Sequence, residues 1–215
     1  MPHHAALLSW TGALWLAAMW IAMMGAMMAP TAWPWVATFG RLVSPVPGAA
    51  RLRAVGVFTA GYLAAWSIYS VTLAAAQIGL ARAGQWHDAV GVSPLVAAAI
   101  LASAGAYQLA PVKAACLRHC RNPLTYFLAR WHDGPSGFRL GFAHGMFCVG
   151  CCWALMATAL AVGVMSLVWM AALTLVVFIE QVVPGGDRLR CVLGLALLAG
   201  AAAEALAVVA PLVGW

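Results

Sequence analysis

Apolar residues run along this chain in blocks of about twenty, separated by short polar breaks. A membrane-crossing helix needs roughly 20 predominantly apolar residues. Six blocks meet that length, near residues 7–29, 54–81, 92–113, 139–161, 163–183 and 190–212. The pattern predicts an all-α, polytopic membrane helix bundle of about six transmembrane helices, with residues 1–215 as a single integral membrane domain. The fifth block follows the fourth through Gly163-Val164-Met165-Ser166, so these two are expected to form a tight helical hairpin. Residues 30–51 hold Pro30, Pro34, Pro45 and Pro47 and read as an irregular connector, with Trp33 and Trp35 at headgroup level. Residues 114–138 form the longest polar segment and read as a loop.

Composition sharpens this picture. The chain is 65% hydrophobic and only 7% charged, where a soluble domain averages about 25% charged. Mean hydropathy is +0.95. The first block has no basic flank and no convincing cleavage site, so it is expected to stay attached as the first helix.

The formal net charge of +6 marks topology rather than nucleic-acid binding. Arg41, Arg51 and Arg53 follow the first block. Lys113, Arg118, Arg121, Arg130 and Arg139 end or follow the third block or flank the fourth, and Arg188 and Arg190 follow the fifth. Only Arg82 lies on the other side. Cytoplasmic loops carry the excess of Lys and Arg, so both termini are expected outside.

The chemistry is concentrated in sulfur. His144, Cys148 and Cys151 fall within about 60° of one another on a helix, and Cys152 lies roughly 40° further round. Thiols and imidazole suit Cu(I), zinc or an iron–sulfur centre, and not magnesium or calcium. In the first block Met19, Met23 and Met27 share one stripe, with Met24 and Met28 beside it. Thioethers are soft enough for Cu(I), although methionine also fills cores. Helix rise puts Met19–Met27, His144–Cys152 and Glu180 at overlapping depths. Glu180 is an intramembrane acid, and so a functional candidate; an ion pair with Arg139 or Arg188 is the alternative. The candidate metal ligands are therefore His144, Cys148, Cys151, Cys152, Met19, Met23, Met27 and Glu180. Cys116, His119 and Cys120 form a secondary metal or docking group in the basic segment. The expected geometry turns the His144–Cys151 face toward Met23 and Met27.

Several segments together resemble a bacterial family. They are Met19-Trp20-Ile21-Ala22-Met23-Met24-Gly25-Ala26-Met27-Met28-Ala29-Pro30, the stretch from Tyr107-Gln108-Leu109-Ala110-Pro111 to Cys116-Leu117-Arg118-His119-Cys120-Arg121-Asn122-Pro123, and Gly141-Phe142-Ala143-His144-Gly145 through Cys148-Val149-Gly150-Cys151-Cys152-Trp153-Ala154-Leu155-Met156. Gly163-Val164-Met165 and Trp169-Met170 complete the pattern, which is that of predicted metal-binding integral membrane proteins. The resemblance runs from about Trp15 to Arg190 and implies metal binding in a bacterial inner membrane. Members of that family often carry a further N-terminal helix, whose place another subunit would fill here. They also often end the fifth helix with Glu-Lys, where this chain has Glu180-Gln181.

Three functions compete at this stage. The first is Cu(I) handling, by transport or by delivery to a cuproenzyme, with copper or another soft metal as cargo. The second is a non-catalytic accessory subunit of a larger membrane complex, its sulfur used for packing. The third is a thiol- or metal-dependent redox protein. His144 is the one histidine well inside a block, which disfavours a cytochrome b, and no phosphate loop or nucleophilic triad is present. Expected partners are the bilayer, other membrane subunits or a metal-receiving protein, and not nucleic acid.

Overall fold

The computed structural model describes residues 9–213 apart from residues 47, 88–90, 131–135, 163–165 and 184–185. In chain order the elements are α1 (Trp10–Leu42), α2 (Gly48–Arg82), β1 (Trp86–His87), β2 (Gly91–Val92), α3 (Pro94–Leu109), α4 (Pro111–Cys120), α5 (Pro123–Arg130), α6 (Gly137–Ala157), α7 (Ala159–Val162), α8 (Leu167–Val182) and α9 (Gly186–Val213). The two short strands pair antiparallel, Trp86 with Val92 and His87 with Gly91. Among the described residues the other elements are helices. The expected hairpin at residues 163–165 lies outside the described residues.

Two expectations need correction. Residues 30–51 are not an irregular connector: α1 continues through Pro30 and Pro34 to Leu42. Proline removes a backbone donor but is tolerated in apolar helices where side chains and neighbouring helices compensate. The carbonyls these prolines leave without a helical donor are those of Ala26 and Pro30, whereas Thr31 and Thr38 bond the Met28 carbonyl at 2.9 Å and the Pro34 carbonyl at 2.7 Å, so neighbouring helices carry the compensation. The far end of α1 is held by packing. Trp35 and Phe39 sit in an aromatic cluster with Phe58, Tyr126 and Phe127. Residues 114–138 are not one polar loop either. Helix α4 runs to Cys120, and α5 packs Tyr126 and Phe127 into that same cluster.

The third block is broken. Ala110 adopts an extended conformation ahead of Pro111, as the residue before proline prefers. Helices α3 and α4 consequently meet at 66°. Four helices, beginning at Trp10, Gly48, Gly137 and Gly186, are long and apolar enough to cross a membrane, or five if the bent pair is one span. Helix α8 has 16 residues, about 24 Å at 1.5 Å per residue, and falls short of that test. The expected six passes thus correspond to four helices of spanning length, or five with the bent pair, and one apolar helix too short for that test. Their exposed faces are apolar. In α9 only 17% of the span window is buried, and Val192, Leu195 and Leu206 lie on its exposed surface.

Helix α6 lies in the middle of the bundle because glycines let it approach α2. A Cβ at Gly141 would fall 1.9 Å from the Phe58 carbonyl oxygen, and one at Gly61 would fall 2.2 Å from the Phe138 oxygen. Small residues at such crossings let backbones meet where lipid offers no hydrophobic drive. Replacing Gly141 by alanine must push two backbones apart. It should cost about 3 kcal/mol, the upper range of overpacking. Gly79→Ala on the same α2 meets nothing within 4 Å and should be neutral or slightly stabilising. Thermal unfolding of the two variants in detergent checks the contrast.

Candidate metal centre

Helical spacing turns Cys148, Cys151 and Cys152 to the inner face of α6, and each is at most 1% exposed. Their sulfurs all lie within 4.8 Å of one another. The Cys148 carbonyl accepts from the Cys151 thiol at 3.1 Å and from the Cys152 thiol at 2.9 Å. Back-bonding to the preceding turn thus holds the two thiols side by side. A fourth thiol comes from the end of α4, where Cys120 Sγ is 3.9 Å from Cys151 Sγ. No disulfide involves these residues; all are free cysteines.

Polar groups from two other helices complete the wall. Gln181 of α8 donates from Nε2 toward Cys151 Sγ at 3.1 Å and toward Cys148 Sγ at 3.7 Å. The Tyr62 hydroxyl of α2 lies 3.4 Å from Cys148 Sγ. One turn before Cys148, His144 is 2% exposed and stacks on Trp35, with centroids 3.5 Å apart and planes at 16°. Tyr62 stacks on it at 5.4 Å. His144 Nδ1 is buried and has no hydrogen-bond partner, and a buried orphan of that kind calls for an explanation.

The donor set suits a soft ion. Sulfur sits about 2.3 Å from zinc in thiolate sites, so three thiolates around one such centre stand roughly 4 Å apart. The observed limit of 4.8 Å is within small rotamer adjustments of that triangle.

The remaining candidates are placed as follows. Met23, Met24, Met27 and Met28 are all buried in the same core as the cysteines, with Met19 partly buried at its edge. Met24 and Met28, the second stripe, are the most deeply buried. The main backbone neighbour of α6 is α2 rather than α1; α1 reaches it through the Trp35–His144 stack. The structure does not bring Glu180 to the thiols. Its Oε2 accepts from Lys113 Nζ at 2.6 Å, and Gln108 donates to its Oε1. The ion-pair partner is thus Lys113 and neither Arg139 nor Arg188. Lys113 is itself fully buried, so it is no loop charge. Helix-wheel reasoning missed Gln181 and Tyr62. The signal in the sequence is a glutamine within an apolar block, directly after Glu180.

Cys116, His119 and Cys120 are not gathered as a metal-holding group among the described residues, and each meets different neighbours. Cys120 turns inward to Cys151, while Cys116 lies beside Gly150, where an added Cβ would come within 3.8 Å of its sulfur. His119 packs on Phe147 at 4.0 Å, with its Nε2 buried and unpartnered. Beside it the Arg130 guanidinium covers the Tyr126 ring at 4.3 Å. Burial pushes the Tyr126 hydroxyl above its ordinary pKa, so it stays protonated and donates to the Leu140 carbonyl at 2.9 Å.

A helical bundle that gathers four buried thiols on two helices offers the donor set of a soft-metal-binding protein. The chain belongs to the PpoB2 copper chaperone family, whose model matches residues 17–203. No curated protein and no solved structure matches it. Family membership and the three-cysteine cluster together point to copper handling.

Proposed function

We propose that this protein is an integral membrane copper chaperone that takes Cu(I) into its helix bundle and hands it to a metal-receiving partner. The observation that carries the reading is the mutual proximity of the Cys148, Cys151 and Cys152 sulfurs in a chain of a copper chaperone family. Those three thiols would hold the ion, with Cys120 as a fourth. His144 Nδ1, together with the thioethers of Met23, Met24, Met27 and Met28, supplies further soft donors in the same core. Three thiols and no committed carboxylate favour Cu(I) over harder ions. The Gln181 amide donates toward the Cys151 and Cys148 sulfurs and so orients them, as outer groups do around metal ligands.

The bilayer reading is supported by the apolar exposed faces of the long helices, since a large exposed apolar surface needs a nonaqueous neighbour. The proposal takes α1, α2, the bent α3–α4 pair, α6, α8 and α9 as six passes of a bacterial inner membrane, with both termini outside.

Anaerobic metal analysis of the purified protein, before and after a chelator, tests the cargo. The expected result is about one copper per chain that survives a weak chelator. Zinc, or no metal, overturns the Cu(I) reading. Reporter fusions after Trp215 and within residues 114–138 test the topology. They should report opposite sides of the membrane.

A further inference from the structure

A cleft of about 140 Å³ opens beside the thiol cluster between the Thr31–Trp35 stretch of α1 and the ends of α4 and α8. Its floor is Thr31, Trp35, Cys120 and Gln181, each no more than 5% exposed. Two of those four touch the cluster directly: Cys120 Sγ lies 3.9 Å from Cys151 Sγ, and Gln181 Nε2 lies 3.1 Å from it. The mouth is formed by Arg121, whose side chain is 21% exposed, and by Val182, which is 40% exposed. Arg121 fixes this rim. It donates twice to the Glu180 carbonyl, at 3.0 and 2.8 Å, and pairs with Asp187 at 3.1 Å. Trp35 Nε1 holds the Cys120 carbonyl at 3.1 Å. Arg118 and Arg130 line a separate surface hollow with His119 and Tyr126, so Arg121 is the cation at the cleft itself.

The cleft therefore leads from an arginine at its mouth to a buried thiol, Cys120, that adjoins Cys151 of the three-thiol cluster. Liquid water occupies about 30 Å³ per molecule, so the space admits a single thiol-bearing arm and not a folded domain. We propose that this cleft is the port through which Cu(I) reaches the cluster, presented as an anionic thiolate complex, with Cys120 as the receiving thiol. The inference rests on the Cu(I) reading above and adds the route and the chemical form of the incoming cargo. Transfer is a ligand exchange without redox change. The bond from copper to the carrier sulfur breaks and one to Cys120 Sγ forms, while the Cys120 proton leaves on the departing carrier thiolate. The same exchange between Cys120 and Cys151 passes Cu(I) inward and returns a proton to Cys120.

The test loads the full-length detergent-solubilised protein anaerobically. Cu(I)–glutathione is one donor and a Cu(I)-loaded two-cysteine carrier domain is the other, so the arms separate a small thiol from a protein arm as the source. Val182→Trp, at the mouth, should slow uptake at least tenfold from whichever donor loads the wild type, with the final copper-to-protein ratio unchanged. Leu175→Trp, exposed on the same helix away from the cleft, should load at the wild-type rate. Cys120→Ser should slow uptake similarly while Cys148, Cys151 and Cys152 still fill at equilibrium. Val182→Trp or Cys120→Ser loading at the wild-type rate overturns the port and leaves Cu(I) binding standing. No uptake by the wild type overturns both readings. A measurement without variants uses iodoacetamide and peptide mapping of the metal-free protein. Cys120 should be alkylated before Cys148, Cys151 or Cys152; an earlier reaction at any of those three means that access lies elsewhere.

Discussion

Replacing Cys148 and Cys151 together with serine is expected to abolish chelator-resistant copper binding. The pair supplies two of the three sulfurs that lie within 4.8 Å of one another, and a hydroxyl is too hard a donor to replace thiolate toward Cu(I). The fold should survive. Serine keeps the side-chain volume nearly constant, and its hydroxyl at position 151 can still donate to the Cys148 carbonyl, as the thiol does at 3.1 Å. Turning buried thiols into hydrogen-bonded hydroxyls should cost about 1 kcal/mol each, the lower end of polar burial in proteins. Copper per chain after chelator competition, read beside thermal unfolding, separates the two effects. Full copper retention with a small stability loss would mean that the sulfurs only pack. Cys191→Ser is the control, since Cys191 is exposed and its loss should change neither reading.

The largest effect on stability is expected at Lys113. The Lys113–Glu180 pair is 0% and 1% exposed, with Gln108 bonded to both partners. Removing one member of a buried ion pair leaves the other charge uncompensated and costs about 3–5 kcal/mol. Lys113→Met should therefore unfold well below the wild-type temperature in detergent. Adding Glu180→Gln removes the stranded charge and should recover most of the loss. The coupling from such a double-mutant cycle isolates the pair. Losses that simply add would show that the pair contributes little. The functional consequence is local. Glu180 immediately precedes Gln181, and Arg121, next to Cys120, holds the Glu180 carbonyl. A loosened Lys113–Glu180 contact should move Gln181 and Cys120 relative to Cys151, so Lys113→Met should also weaken copper retention.

Much of the protein can be read from its residue order. Apolar block length gives helices of membrane-crossing size. The 3.6-residue period alone places Cys148, Cys151 and Cys152 together, because all three are on one helix and no tertiary contact is needed to align them. The same period groups the methionines of α1, and their burial follows from the apolar character of the whole block. Soft-donor chemistry then narrows the cargo before any coordinate is known.

Other features depend on which helices meet. Pro30 and Pro34 read as breakers because propensity is local, yet α1 is held straight on by Trp35 and Phe39, whose partners Phe58, Tyr126 and Phe127 come from distant segments. Cys120 reads as a loop cysteine until the Ala110–Pro111 bend sends α4 back toward α6. Glu180 and Gln181 are neighbours about 100° apart on a helix, and only the packing of α8 decides which of them meets the thiols. Lys113 meets the carboxylate, so the amide is left for the sulfurs. Sequence by itself determined the helical class, the soft-ligand stripe and the likeness to metal-binding membrane proteins, since each depends on local period or residue chemistry. Tertiary structure alone decided the fourth thiol, the amide beside it, the buried ion pair and the cleft, because each joins residues from helices whose contacts no single-helix period specifies.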